Sequence, residues 1–498
     1  MTNRLARGPV LAAAAMAVAA LTAPLAIAAP VEAPKKKSTA AQQHDFNGDG
    51  VRDLAVAVPG GAAGAVQKAG AVSVLYGSKT QPVNTKRQVV HQDTAGVPGT
   101  AAAGDRFGSV VASGDLDRDG YADLVVSAAR DTLAADRRNA GSLTVFWGGA
   151  QGLSGGATLA EGGRDHAQLG DALTVGDFDG DGDQDVAVSV NEGAVRVLSG
   201  PFGRDGSATS STVLNEIGDP YRITDLAAGD VNGDGRSDLV AARYDSALYE
   251  YPETAVWTGT AQGLNTTPKL VKTADLNLQG GENLDVGDVN KDGFADIVVG
   301  RYDFREYDIE GGKGGRIIFY PGSASGPVGS KAFALTQDSP GVPGTADFGD
   351  NFGSGVSVAD VNGDGYADVS AGIPGKKVGP DAGSGAVMVL RGAAKGPVAA
   401  GATVFHQDTT GVPGDAEAKD EFGFATALTD LNGDNRPELA VGGPGENNRA
   451  GSVWLLQGGT AGPSATGSLV LGHGGVGTDA FPGSELGNGF GNASSYRR

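Results

Sequence analysis

One nonapeptide constrains this chain more than any other feature. It reads DFNGDGVRD from Asp45, DLDRDGYAD from Asp115, DFDGDGDQD from Asp177, DVNGDGRSD from Asp230, DVNKDGFAD from Asp288, DVNGDGYAD from Asp360 and DLNGDNRPE from Asp430. The spacing between copies runs from 53 to 72 residues. Seven near-copies of nine residues are not chance, so the chain is read as a repeat array.

Each copy has the same surroundings. A short apolar run precedes it, as in FGSVVASGD and FGSGVSVAD, and an alternating run follows, as in LAVAV and IVVGR. A glycine-rich turn and another run come next, as in AGAVSVLYG and AGSVWLLQGG. Several repeats add a further run, as in RQVVHQD and ATVFHQD. This pattern predicts four short strands per unit of ~65 residues, with the nonapeptide joining the first strand to the second. Seven antiparallel four-stranded units predict an all-β fold, a seven-bladed β-propeller whose blades bury their faces on one another. A stacked solenoid is the runner-up, but the units are too long and too four-stranded for one. The 498 residues then form one large domain, and the 83 glycines suit its many tight turns.

Ring closure needs a strand from elsewhere. KKKSTAAQQH, ahead of the first nonapeptide, is polar and offers no first strand, whereas ELGNGFGNASS near the other end resembles the first strands of other repeats. The tail is expected to complete the first blade; the alternative is a disordered tail. Residues 1–28 read as a secretory signal peptide: MTNRLAR is positively charged, a long apolar run follows, and Ala26-Ile27-Ala28 fits a small-residue cleavage site. The alternative is a retained membrane anchor, though one rich in Ala and poor in Leu and Ile. The expected layout is signal peptide 1–28, polar segment 29–43, propeller 44–492 and tail 493–498, giving a secreted monomer with no membrane span. The chain has no cysteine and a formal net charge of −21. Disulfides are therefore excluded, and nucleic acid is an unsuitable partner. Bound divalent cations would help both stability and charge.

The nonapeptide begins like an EF-hand loop but does not end like one. An EF-hand has a bidentate Glu at position 12, between two helices. Position 12 here is Val56, Val126, Val188, Ala241, Val299, Ala371 and Val441. The first nine positions still supply a calcium cage: side chains at 1, 3, 5 and 9 and the backbone carbonyl at 7. Position 6 is glycine in six copies, which lets the chain wrap around an ion. The candidate ligands are Asp45, Asn47, Asp49, Val51 and Asp53 in the first loop and Asp115, Asp117, Asp119, Tyr121 and Asp123 in the second. The third has Asp177, Asp179, Asp181, Asp183 and Asp185, and the fourth Asp230, Asn232, Asp234, Arg236 and Asp238. The fifth has Asp288, Asn290, Asp292, Phe294 and Asp296, and the sixth Asp360, Asn362, Asp364, Tyr366 and Asp368. The seventh has Asp430, Asn432, Asp434, Arg436 and Glu438, with Asn435 in the glycine position. Up to seven calcium ions are expected, with the second and third loops richest in carboxylates and the seventh weakest. An acidic turn without metal is the alternative for any single loop. Magnesium suits such loops less, because it demands near-octahedral geometry and keeps its waters.

These residues resemble the FG-GAP repeats of integrin α-subunit propellers. The starts are Phe107-Gly108, Phe352-Gly353 and Phe422-Gly423, with Leu169-Gly170 as a variant. Second strands end in VPG at 58–60, IPG at 373–375 and GPG at 443–445. The resemblance implies calcium in the loops of one face and partner binding on the other. Repeats 3, 4 and 5 lack the FG start or the G-x-P ending.

Enzyme signatures are sparse. GLSGG at 152–156 matches G-x-S-x-G without the strand-turn-helix setting of a nucleophile elbow. His91 and His406 sit in matching turns whose third copy has Thr336, which reads as a structural turn. A calcium-dependent phospholipid hydrolase or polysaccharide lyase on the same scaffold remains the rival reading, and a purely structural surface protein is a third. For a protein or glycan partner, the candidates are Arg243, Tyr244, Tyr249 and Tyr251 in repeat 4 with Arg301, Tyr302 and Tyr307 in repeat 5. Tyr and Arg are enriched at binding hot spots. The alternative is that these side chains pack between blades.

Overall fold

The computed structural model describes residues 41–190, 193–215, 221–245, 252–275, 278–302 and 313–490. The expected signal peptide, nearly all of the polar segment and the last eight residues lie outside this set.

Alternating and apolar runs between glycine turns form seven four-stranded antiparallel sheets. Blades are numbered here by their nonapeptide. Blade 2 is representative: Phe107–Gly114 is innermost, followed by Asp123–Ala128, Ser142–Trp147 and Ser154–Glu161 at the outside. The nonapeptide connects the innermost strand to the second in blades 2 to 7. Successive innermost strands lie side by side around a closed ring, and that of blade 7 meets that of blade 1.

Blade 1 is assembled from both ends of the sequence. Its strands Leu54–Val58, Ala71–Leu75 and Arg87–Val90 are joined by Gly489–Phe490 in the innermost place. Leu486 enters as the FG phenylalanines do elsewhere: Leu486 bridges Gly451, as Phe107 bridges Gly70 and Phe422 bridges Gly385. A side chain on the receiving glycine would collide with that backbone; a Cβ on Gly70 would lie 2.1 Å from the Phe107 carbonyl oxygen.

The hydrophobic core is divided among the seven blade interfaces. Val56, Val453 and Phe490 pack between blades 7 and 1, Val72, Phe107 and Phe146 between 1 and 2, and Val145, Leu173 and Val188 between 2 and 3. The remaining four interfaces have equivalent clusters. Burial of apolar surface between neighbours, at roughly 25 cal/mol per Å², therefore stabilises the ring as a whole and no blade by itself.

Side chains on the innermost strands also tie blade to blade. The Asp225 carboxylate of blade 4 accepts from the Leu284 N–H of blade 5 (3.0 Å), and Asp285 of blade 5 accepts from the Val358 N–H of blade 6 (2.8 Å). Ser357 Oγ of blade 6 accepts from the Leu428 N–H of blade 7 (3.1 Å).

Candidate metal centres

The loop geometry follows from backbone constraints. Position 6 has positive φ in every copy, including Asn435 at φ 61° in the seventh. Position 4 does too, which the sequence reading did not anticipate. Five copies have glycine there, while Arg118 and Lys291 adopt φ near 60°. Two left-handed residues per loop curl the chain so that its side-chain oxygens turn inward.

Inside each loop, carboxylates and backbone N–H groups satisfy one another. The position-1 aspartate accepts from N–H groups at 5 and 6 in the first loop, at 3.1 and 2.9 Å from Asp49 and Gly50. The position-7 N–H donates to the position-5 carboxylate in all seven loops, at 2.8–3.1 Å, so Val51, Tyr121, Asp183, Arg236, Phe294, Tyr366 and Arg436 each lie beside their position-5 aspartate.

Position 9 has the most uniform role. One carboxylate oxygen accepts from the position-2 N–H of its own loop, at 2.8–3.1 Å across seven copies. The other accepts from a glycine N–H just beyond the third strand, at 2.8–3.3 Å, from Gly77, Gly148, Gly200, Gly259, Gly322, Gly392 and Gly458. In the first three loops each oxygen accepts this one bond and retains a second lone pair for an ion. These groups are buried, and burial is the main cause that pushes their pKa up: to about 8 for Asp53 and Asp123, about 7 for Asp185, Asp296 and Glu438, and about 6 for Asp238 and Asp368. Neighbouring loop aspartates add to the rise. A cation beside them would favour the charged form and reverse the effect.

The donor set fits a hard cation. Oxygens of Asp115, Asp117 and Asp123 lie within 4.8 Å of one another, as do those of Asp177, Asp179 and Asp185. A cation with oxygen bonds of about 2.4 Å spans just such separations. These are the two loops with the most carboxylates. In the last four loops, which have asparagine at position 3, the amide reaches position 9 instead: Asn232, Asn290, Asn362 and Asn432 Nδ2 lie 2.7–3.4 Å from that carboxylate. Turning the amide over would present its oxygen. In the second loop, the Arg204 guanidinium from blade 3 contacts both Asp117 and Asp119, a built-in cation at the loop rim.

Neighbouring loops interlock. In several neighbouring pairs the position-7 side chain of one loop lies against position 4 of the loop before it, though Gly363 of the sixth loop is left open. Tyr121 covers Gly48, Arg236 covers Gly180 and Phe294 covers Gly233, where an added Cβ would meet each at 2.5–3.0 Å. Both non-glycine residues at position 4 make a polar or charged version of this contact. Arg118 pairs with Asp183 at 2.6 Å, and Lys291 Nζ reaches the Asp364 carbonyl at 2.7 Å beside the Tyr366 ring. Asp183 thus directs its side chain to Arg118, leaving its carbonyl as the candidate ligand. Position 2 is apolar in every copy and fills the next blade interface: Phe46, Leu116, Phe178, Val231, Val289, Val361 and Leu431 are at most 3 % exposed. The periodic F/L/V after the first aspartate was the available signal.

The partner-binding candidates divide. Arg243 is 6 % exposed, stacks over Tyr221 and lies 3.2 Å from Glu253, and Arg301 is 7 % exposed. Both arginines are interior groups, contrary to their reading as surface contacts, because the second strand carries them inward before the chain turns. Tyr244 and Tyr302 are half-buried at the strand ends remote from the nonapeptides. Tyr249, Tyr251 and Tyr307 lie outside the described residues. The G-x-S-x-G match falls at the turn into the outer strand of blade 2, with Ser154 exposed. The backbone N–H groups of His91, Thr336 and His406 make matching donations to the Thr94, Ser339 and Thr409 hydroxyl oxygens, at 2.8–3.0 Å. No helix among the described residues is long and apolar enough to cross a membrane.

Comparison with known proteins agrees with the internal repeat. The FG-GAP repeat matches residues 45–75, 107–146, 280–320, 352–390 and 422–456, and the FG-GAP-like repeat matches 177–241 and 230–299. Integrin alpha-PS2 of Drosophila melanogaster is 30 % identical over 224 residues, covering 42 % of this chain and 15 % of the relative. Integrin alpha-8 of Mus musculus is 30 % identical over 239 residues, covering 46 % and 20 %. Phosphatidylinositol-glycan-specific phospholipase D of Rattus norvegicus is 31 % identical over 182 residues, covering 36 % and 20 %. The matched region thus spans a fifth or less of each of these relatives. With its seven interlocked nonapeptide blades, this chain belongs to the FG-GAP repeat family, and its propeller is of the integrin-alpha kind.

Proposed function

We propose that this protein is an exported, calcium-stabilised binding module that presents a propeller face to a protein or glycan partner. The observation that carries this reading is the sevenfold double anchoring of position 9. A carboxylate held by two backbone N–H groups in every blade is built into the scaffold, which suits an ion that stabilises the ring rather than one that activates a substrate. Residues 1–28 support export, and the integrin relatives support adhesion. Calcium occupies the loops, and the partner engages the opposite face, where Tyr244 and Tyr302 stand.

A glycan and protein array probed in calcium and in EDTA tests this directly. Calcium-dependent capture that is weakened by Tyr244→Ala with Tyr302→Ala is the expected result. Capture unchanged by the double substitution removes the assigned face. The phospholipase D relative favours a second reading, a calcium-dependent hydrolase on this scaffold. Turnover of phospholipids or polysaccharides that EDTA abolishes would replace the binding module with that enzyme.

A further inference from the structure

A buried corner recurs in this chain with one decisive change. In blade 6, Lys376 follows the second strand, and its Nζ lies 2.8 Å from Asp350 Oδ2 while also donating to the Thr345 carbonyl. Gln337 Nε2 lies 2.9 Å from the same Asp350 oxygen. Each of these positions returns 70 residues later in blade 7: Gln337 as Gln407, Thr345 as Asp415, Asp350 as Asp420 and Lys376 as Glu446. Asp347 returns as Glu417 in the same register. The corner is kept and its cation is replaced by an acid.

The consequence is a group of carboxylates without a counter-charge. Oxygens of Glu417, Asp420 and Glu446 lie within 4.8 Å of one another. None of the three has an ion-pair partner among the described residues. Gln407 is 2 % exposed, and its Nε2 lies 2.9 Å from Glu446 Oε2 and 3.1 Å from the Asp415 carbonyl. Its Oε1 is buried with no hydrogen-bond partner. An amide turned over would aim that oxygen at the carboxylates and satisfy it on a cation.

We propose that this corner of blade 7 is a divalent-cation site, distinct from the nonapeptide loops. The ion takes the place that Lys376 Nζ occupies in blade 6. Glu417, Asp420 and Glu446 supply carboxylates, Asp415 its carbonyl and Gln407 its amide oxygen. An all-oxygen set of this number, with an exposed member in Glu417, suits calcium. The related corner of blade 2 stops short of this arrangement: it has two carboxylates, Asp105 and Asp131, and the Ser142 hydroxyl bonds Asp131 at 2.6 Å.

Calcium stoichiometry by equilibrium dialysis tests the assignment on the full chain. Glu446→Lys rebuilds the blade 6 corner and is expected to bind one calcium fewer than the wild type, with undiminished thermal stability in EDTA. Lys376→Glu creates the blade 7 corner in blade 6 and is expected to bind one more. Equal stoichiometry in all three proteins overturns the proposal. Terbium gives a local reading. Trp454 Nε1 donates to the Pro413 carbonyl at 2.8 Å, two residues from Asp415, so its excitation sensitises an ion in this corner. Glu446→Lys, or Glu446→Gln if the lysine variant does not fold, is expected to remove that emission component. Full retention of the sensitised emission overturns the site.

Discussion

Val56 and Phe490 are direct antiparallel partners, 434 positions apart in the chain, and their pairing closes the ring. Phe490 and Leu486 are fully buried between blades 7 and 1. Phe490→Ala removes a large core side chain at the one seam joined by no continuous blade. The expected loss is about 3–5 kcal/mol by denaturant unfolding. Removal of residues 486–498 is expected to be more severe, exposing the Leu54–Val58 edge and promoting self-association in sedimentation runs.

Position 2 of the nonapeptide gives a graded series. Phe178 fills the interface of blades 3 and 4, and Val289 that of blades 5 and 6. Phe178→Ala is expected to destabilise by about 3–5 kcal/mol, and Val289→Ala by a smaller amount, since fewer buried methylenes are lost. Equal effects in thermal unfolding would mean that these side chains do not carry the interfaces.

Much of this architecture was legible because the sequence repeats. Six copies of DxD/NxDGxxD and a seventh variant, DLNGDNRPE, gave the blade count, and the valine or alanine at position 12 excluded an EF-hand. What escaped was the coupling between copies. That Tyr121 covers Gly48, or that Arg118 reaches Asp183, depends on loops about 70 residues apart being brought side by side. No local propensity encodes that contact. The burial of Arg243 and Arg301 was foreseen only as the alternative to a surface role, and local sequence could not choose between the two. Arginine in a turn-like stretch can stand exposed or pack inside, and here the second strand of blade 4 continues through Arg243, whose guanidinium stacks on Tyr221 of the same blade. The FG signature also concealed its purpose, which is to seat a backbone against a glycine of the preceding blade.

The left-handed residue at position 4 separates two contributions of Arg118. Its φ is 60°, and its guanidinium neutralises the buried Asp183 carboxylate. Arg118→Ala is expected to lose the ion pair and keep the backbone strain. Arg118→Gly loses the pair and relieves the strain, so it should be the more stable variant by about 1 kcal/mol. Thermal melting of the two proteins side by side measures the difference, and a more stable alanine variant would contradict it.

Calcium and scaffold roles separate within one loop. Asp296 is fully buried and holds the Val289 and Gly322 N–H groups, whereas Asp292 lies at the exposed rim. Asp296→Asn leaves one N–H without its carboxylate acceptor and is expected to destabilise by about 1–3 kcal/mol with or without calcium. Asp292→Asn is expected to matter only when calcium is present, shrinking the rise in Tm that calcium gives over EDTA. For the wild type itself, an EDTA melt that superimposes on the calcium melt would remove the structural ion altogether.

Asp285 provides the pH test, because it lies between innermost strands and outside the nonapeptides. It accepts from the Val286 and Val358 N–H groups, both at 2.8 Å, and burial pushes its pKa up to about 7. A carboxyl raised in this way binds its proton more tightly in the folded protein than in the unfolded chain, whose value is near 3.8. Its contribution is therefore fully present below about pH 4 and is lost as the pH rises through about 7. Asp285→Asn removes that term. It keeps an oxygen for Val358, fixes the group neutral and forfeits one acceptor for Val286. The expected result in calcium-free buffer is a flatter dependence of stability on pH between 4 and 8, with the variant gaining on the wild type toward pH 8. Denaturant titrations across that range measure it. A wild type that grows more stable relative to the variant as the pH rises would show that Asp285 is held charged, by a cation in the central channel or by water that the strands admit.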